Sequence, residues 1–187
     1  KHTTNKALSS KLRDWAFSGD AAVTLRNTAH SVRLRVVSAP RGRAGRSTSP
    51  APVRQYARSQ LAVDVQILRR RGVEVVAFQP VYDSYLPIIR QAGGIPRLVR
   101  LEPPHWRLTE EELRSVYNHK TKAVLFNNPL NPAAVVYPRK DLELLARFCQ
   151  EFDSIAICDE VWEHVIFDGR EHIPLITIPG MRDRTIK

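Results

Sequence analysis

Cysteine is nearly absent. The 187-residue chain has only Cys149 and Cys158, with no metal-ligand spacing around either. That excludes a disulfide-stapled scaffold and assigns no metal site; it also points to a reducing compartment, with the cytosol as the default. Long apolar runs are missing too. No stretch approaches the roughly 20 residues that cross a bilayer, so no membrane partner is expected. No signal-peptide core stands near Lys1, which leaves open that the true beginning lies upstream. None of the 8 glycines builds the Gly-rich turn that a Rossmann-type nucleotide enzyme carries after its first strand.

Acidic residues are missing from one part only. Residues 1–72 hold 15 basic and 3 acidic side chains, whereas residues 73–187 hold 14 and 16. The formal charge of +10 therefore sits entirely in the first part, and the remainder is near neutral, as in an ordinary globular domain. The chain is long enough for one domain with a core, or for part of a larger one. Residues 1–53 show no sustained periodicity, and 33–52 are dense in Arg, Ser, Gly and Pro. Such a segment buries too little apolar surface to offset the entropy of ordering, so disorder is expected. It reads as a phosphate-binding arm, as an organelle leader, or as out-of-frame translation of a GC-rich gene. The last ranks first.

From residue 54 the pattern changes. Leu61, Val65 and Leu68 recur at helical spacing, which predicts a helix over 54–71 capped by Gly72. Strands are predicted over 73–78, 95–101, 122–126 and 155–158, with a further one beginning at 185. Helices are predicted between them, over 86–91, from Thr109 to about residue 119, and after Pro138. Thr109 and Glu112 form a capping box, while Leu142, Leu145, Ala146 and Cys149 make one apolar face. Strands alternating with helices specify an α/β fold with a parallel sheet, whose carboxyl ends gather on one side.

Three loops meet at those ends, bearing Tyr82, Asn131 and Asp159. A carboxylate can pair with a protonated ring nitrogen, an amide can donate to a ring oxygen, and an aromatic can stack on a ring face. Pyridoxal phosphate meets all three requirements, alongside several nucleotide and coenzyme ligands.

The motifs go further together. Pro80-Val81-Tyr82-Asp83-Ser84-Tyr85, Gln91-Ala92-Gly93-Gly94, Asn127-Asn128-Pro129-Leu130-Asn131-Pro132 and Cys158-Asp159-Glu160-Val161-Trp162-Glu163-His164 follow in family order. In these, residues 73–187 resemble the class I/II aminotransferases, fold-type I pyridoxal-phosphate enzymes. The nearest flavour is the kynurenine, methionine and succinyldiaminopimelate aminotransferase group. The resemblance implies part of a three-layer αβα large domain, and amino-group exchange between an amino acid and a 2-oxo acid by a homodimer. It also implies a cofactor site in which Tyr82 stacks on the ring, Asn131 bonds the phenolic oxygen and Asp159 pairs with the pyridinium nitrogen.

The sequence departs from the family in four places. Trp162 stands where many members have a tyrosine, and its indole can donate but not accept, so it receives no role. Ala133-Ala134 replaces the usual Thr-Gly. The phosphate-binding turn has no match in residues 47–52. The lysine that binds the cofactor covalently falls beyond Lys187, which gives the expectation that the polypeptide as it stands is inactive, with no catalytic residue assigned. The alternative function is nucleic-acid binding through the basic first part, where Trp15, Phe17 and Tyr56 could stack on bases but no known module occurs.

Overall fold

Apolar residues on both faces of every central strand dictate a sheet covered on two sides, and the computed structural model has that arrangement. The structure describes residues 72–187, together with the backbone of two strands, β1 (Ala22–Asn27) and β2 (Val32–Val37). The expected helix over 54–71 and the mismatch at 47–52 lie outside the described residues. β1 and β2 pair antiparallel, Ala22 opposite Val37 and Asn27 opposite Val32. No regular element was expected before residue 54. The alternation of Val23 and Leu25, and of Leu34 and Val36, is the period-two signal for these strands.

The sheet is built from β3 (Glu74–Gln79), β4 (Ile95–Arg100), β5 (Thr121–Asn127), β6 (Ile155–Asp159) and β7 (Thr185–Ile186). Its spatial order is β4-β3-β5-β6-β7, with every pair parallel. Three helices connect the strands: α1 (Tyr85–Gln91), α2 (Glu110–Val116) and α3 (Arg139–Glu151). The chain leaves β3 to one side for β4, then returns past β3 to start β5 on its other side. That reversal opens a crevice beyond the carboxyl ends of β3 and β5, where ligands bind in open α/β sheets.

Strand alternation sorts the core into two layers. Val76, Phe78, Val124, Phe126, Ala156 and Cys158 face α2 and α3, packing on Leu113, Leu142, Leu145 and Phe148. Val75, Ala77, Leu125, Ile155, Ile157 and Ile186 face α1, packing on Tyr85 and Ile89. The parity of a strand position therefore decides which layer its side chain enters.

The helix ends are set locally. α1 stops before Gly93, whose φ of +86° strains any residue with a Cβ, and the Gly94 N–H closes the last turn on the Ile89 carbonyl at 3.0 Å. Thr109 caps α2 by accepting from the Glu112 N–H at 3.2 Å, while its hydroxyl donates to Glu112 Oε2 at 2.7 Å. α2 ends at Val116, three residues before the expected limit. Asn118 ends it early: its side chain donates to Glu74 Oε2 at 2.7 Å and accepts from the Lys120 N–H at 2.8 Å, turning the chain into β5. Asp141, buried in the first turn of α3, receives Arg107 in a bidentate pair at 2.6 Å and the Leu108 N–H at 3.2 Å.

Candidate functional site

Asp159 ends β6 on the same parity as Ile155 and Ile157, so its carboxylate emerges on the α1 side of the sheet. Asn127 ends β5 on the parity of Ala123 and Leu125, and the register sets it directly beside Asp159. Two polar side chains thus leave adjacent strands on one face, at the crevice made by the sheet reversal. The Asn127 amide donates to the Asp159 carbonyl at 2.9 Å and its oxygen accepts from the Asn131 N–H at 2.6 Å. Asn127 thereby ties the loop carrying Asn131 to the end of β6.

The third loop is fixed by Tyr85. Its hydroxyl, reaching across from the start of α1, donates to Asp159 Oδ2 at 2.7 Å. Burial, followed by this bond and the charge of Asp159, pushes the Tyr85 phenol far above its ordinary range, so it remains a donor. The Val161 N–H donates to Oδ1 at 3.2 Å. With two donors bound, the carboxylate still has lone-pair capacity for another. Tyr82 stands edge-to-face against Tyr85, centroids 5.4 Å apart at 73°, and stays 42% exposed. Tyr82, Tyr85, Asn127 and Asn131 line one cleft.

The three residues singled out in the sequence are therefore brought together, and Tyr85 and Asn127 join them. Both lay inside quoted motifs. The legible signal was strand parity: counting by twos from Leu125 reaches Asn127, and from Ile157 reaches Asp159. Trp162 is half exposed and lines, with Asn131, Val165 and Phe167, a neighbouring cavity of about 390 Å³. Burial pushes the Cys149 thiol up to about 11, which leaves it a neutral core residue.

The donor and acceptor types gathered here match those a pyridine cofactor needs. The Asn131 side-chain amide makes no hydrogen bond to the described residues. Asp159 has acceptor capacity left, and Tyr82 has uncovered ring surface. An aromatic face, an uncommitted amide and a carboxylate held by two donors are what a protonated pyridine ring with a phenolic oxygen requires.

Comparison with known proteins identifies related chains. The family described as aminotransferase class I and II matches residues 57–185. Human kynurenine–oxoglutarate transaminase 3 is 39% identical over 132 residues, 65% of this chain and 29% of that protein. The crystal structure of a methionine aminotransferase from Escherichia coli superposes with a TM-score of 0.64 at 35% identity, covering 67% of this chain and 33% of its own. N-Succinyldiaminopimelate aminotransferase from Mycobacterium tuberculosis superposes over 97% of this chain and 41% of its own, with a TM-score of 0.64 at 26% identity. The chain spans about a third of the length of the curated relatives it matches.

Proposed function

Because the chain belongs to the class I and II aminotransferase family, we propose that its cleft is the ring-binding part of a pyridoxal 5'-phosphate site serving amino-group exchange between an amino acid and a 2-oxo acid. The observation that carries this reading is the network joining Tyr85, Asp159, Asn127 and Asn131 beside a narrow cleft that Tyr82 also lines. When bound, the cofactor supplies an electron sink that works while its ring nitrogen keeps a proton. The chain's own contribution is to hold that proton in place. Asp159 offers a carboxylate whose orientation is fixed by Tyr85 and by the Val161 N–H and which can still accept from a further donor. Asn131 offers an amide donor to the ring's phenolic oxygen, and Tyr82 covers one ring face.

The activity belongs to the whole enzyme, for which a cytosolic homodimer is the assembly consistent with this reading. Among the described residues no helix is long and apolar enough to cross a membrane. The nucleic-acid alternative rests on residues 1–72, almost all outside the described region, and gains nothing from the family match.

The test uses 4'-deoxypyridoxine 5'-phosphate, which keeps the ring, phenol and phosphate but cannot form an imine with surface lysines. Fluorescence titration of the chain should show saturable binding, weakened by roughly tenfold or more in Asp159→Ala as a charge-assisted bond is lost. Equal affinity in the two proteins, with circular dichroism unchanged, would sink the assignment.

A further inference from the structure

One residue past Asp159 the parity reverses. Glu160 points into the opposite layer, where only 5% of it is exposed and its Oε1 accepts from the Leu175 N–H at 3.3 Å. Three further groups converge there from separate segments. Glu163 comes from the turn after β6, His172 from the stretch before the 3₁₀ turn Leu175–Thr177, and Lys187 from the residue after β7. The Lys187 ammonium stands 2.8 Å from Glu160 Oε2 and also contacts Glu163.

His172 has no settled place in this cluster. Its side chain is 7% exposed, and neither ring nitrogen has a hydrogen-bond partner among the described residues. A buried imidazole with ion-pair contacts but no well-formed hydrogen bond is incompletely satisfied, which leaves it free to take a better partner. Its Nε2 is aimed at the carboxylates, 3.5 Å from Glu160 Oε2 and 4.0 Å from Glu163 Oε2. Donor atoms from Glu160, Glu163 and His172 lie within 4.8 Å of one another. Ligands about 2.1 Å from a tetrahedral zinc ion are separated by about 3.4 Å, so side-chain rotations that bring the donors closer by up to about an ångström and a half would close the set.

We propose that Glu160, Glu163 and His172 form a binding site for a divalent first-row transition metal, Zn²⁺ being the probe of choice, which the Lys187 ammonium plugs in the metal-free chain. One imidazole and two carboxylates suit such a cation, and leave its fourth position for water. Charge supports the exchange. Two carboxylates facing one ammonium leave a net negative charge, whereas Zn²⁺ neutralises both and gives His172 its partner. Lys187 keeps its proton and swings to solvent, to which its side chain is already 16% exposed. The metal lies on the other face of β6 from the cofactor cleft, and the proposal does not rest on the proposed function.

The experiment is calorimetric titration of the full chain with Zn²⁺, repeated for Lys187→Met, His172→Gln and Glu163→Gln, with His119→Gln as a control outside the cluster. One Zn²⁺ per chain is expected. Removing the plug should tighten binding by roughly tenfold, and losing a ligand should weaken it by at least as much. Because His172 is buried, Glu163→Gln at a more exposed position guards against a folding artefact, and circular dichroism checks each variant. Intense visible absorption on substituting Co²⁺ would report four-coordination. No binding to either the wild type or Lys187→Met would overturn the proposal, and so would affinity indifferent to His172 and Glu163.

Discussion

The carboxylate of Asp159 is the residue whose surroundings decide most, and the strongest of those is the Tyr85 hydroxyl. A neutral donor on a carboxylate in a partly buried cleft is worth about 1–2 kcal/mol. Tyr85→Phe should lower the urea midpoint accordingly. In a cycle with Asp159→Ala, the coupling between the two positions should be about 1 kcal/mol; additive effects would mean that the bond contributes nothing to the fold. At this scale the sequence was partly legible. Tyr82, Asn131 and Asp159 could be picked out because chemistry-bearing residues at strand ends are conspicuous. Tyr85 could not, because its role depends on a contact across 74 positions of chain. The partnering of Glu160 was equally hidden: an acid following an acid reads as a loop, and only the three-dimensional path of residues 172–187 brings His172 and Lys187 to it.

Elements were more legible than their limits. The capping box at Thr109 was readable because its two partners lie three residues apart. Thr109→Ala should therefore destabilise the chain by about 1 kcal/mol, read as a shift in urea midpoint that Thr109→Ser largely restores. The early end of α2 was not readable, since Asn118 leaves the helical path to meet Glu74, a partner in another strand. Nor was the salt-bridged start of α3 marked by pattern, as Arg107 and Asp141 are 34 residues apart. Local rules place an element; distant partners trim it.

For the molecule as a whole, the near-neutral composition after residue 72 and the regular alternation of strand and helix carried the three-layer fold, because burying both faces of a parallel sheet requires it. The strength of that burial can be probed at Phe148. It is fully buried between sheet and helix, with ring neighbours Tyr117 at 5.3 Å and Phe152 at 6.0 Å. Phe148→Ala should cost about 3–5 kcal/mol, and circular dichroism and tryptophan fluorescence should report the same lowered midpoint if residues 72–187 unfold as one unit. The all-parallel pairing of β3 to β7 also bears on how that unit arises. No two neighbouring strands of the sheet are joined by a hairpin, so each pairing must wait for a crossover segment to close. Loop closure is then spent before any inter-strand bond forms. The sheet has no short-range nucleus, and its assembly is set by chain diffusion over tens of residues rather than by zippering from a turn.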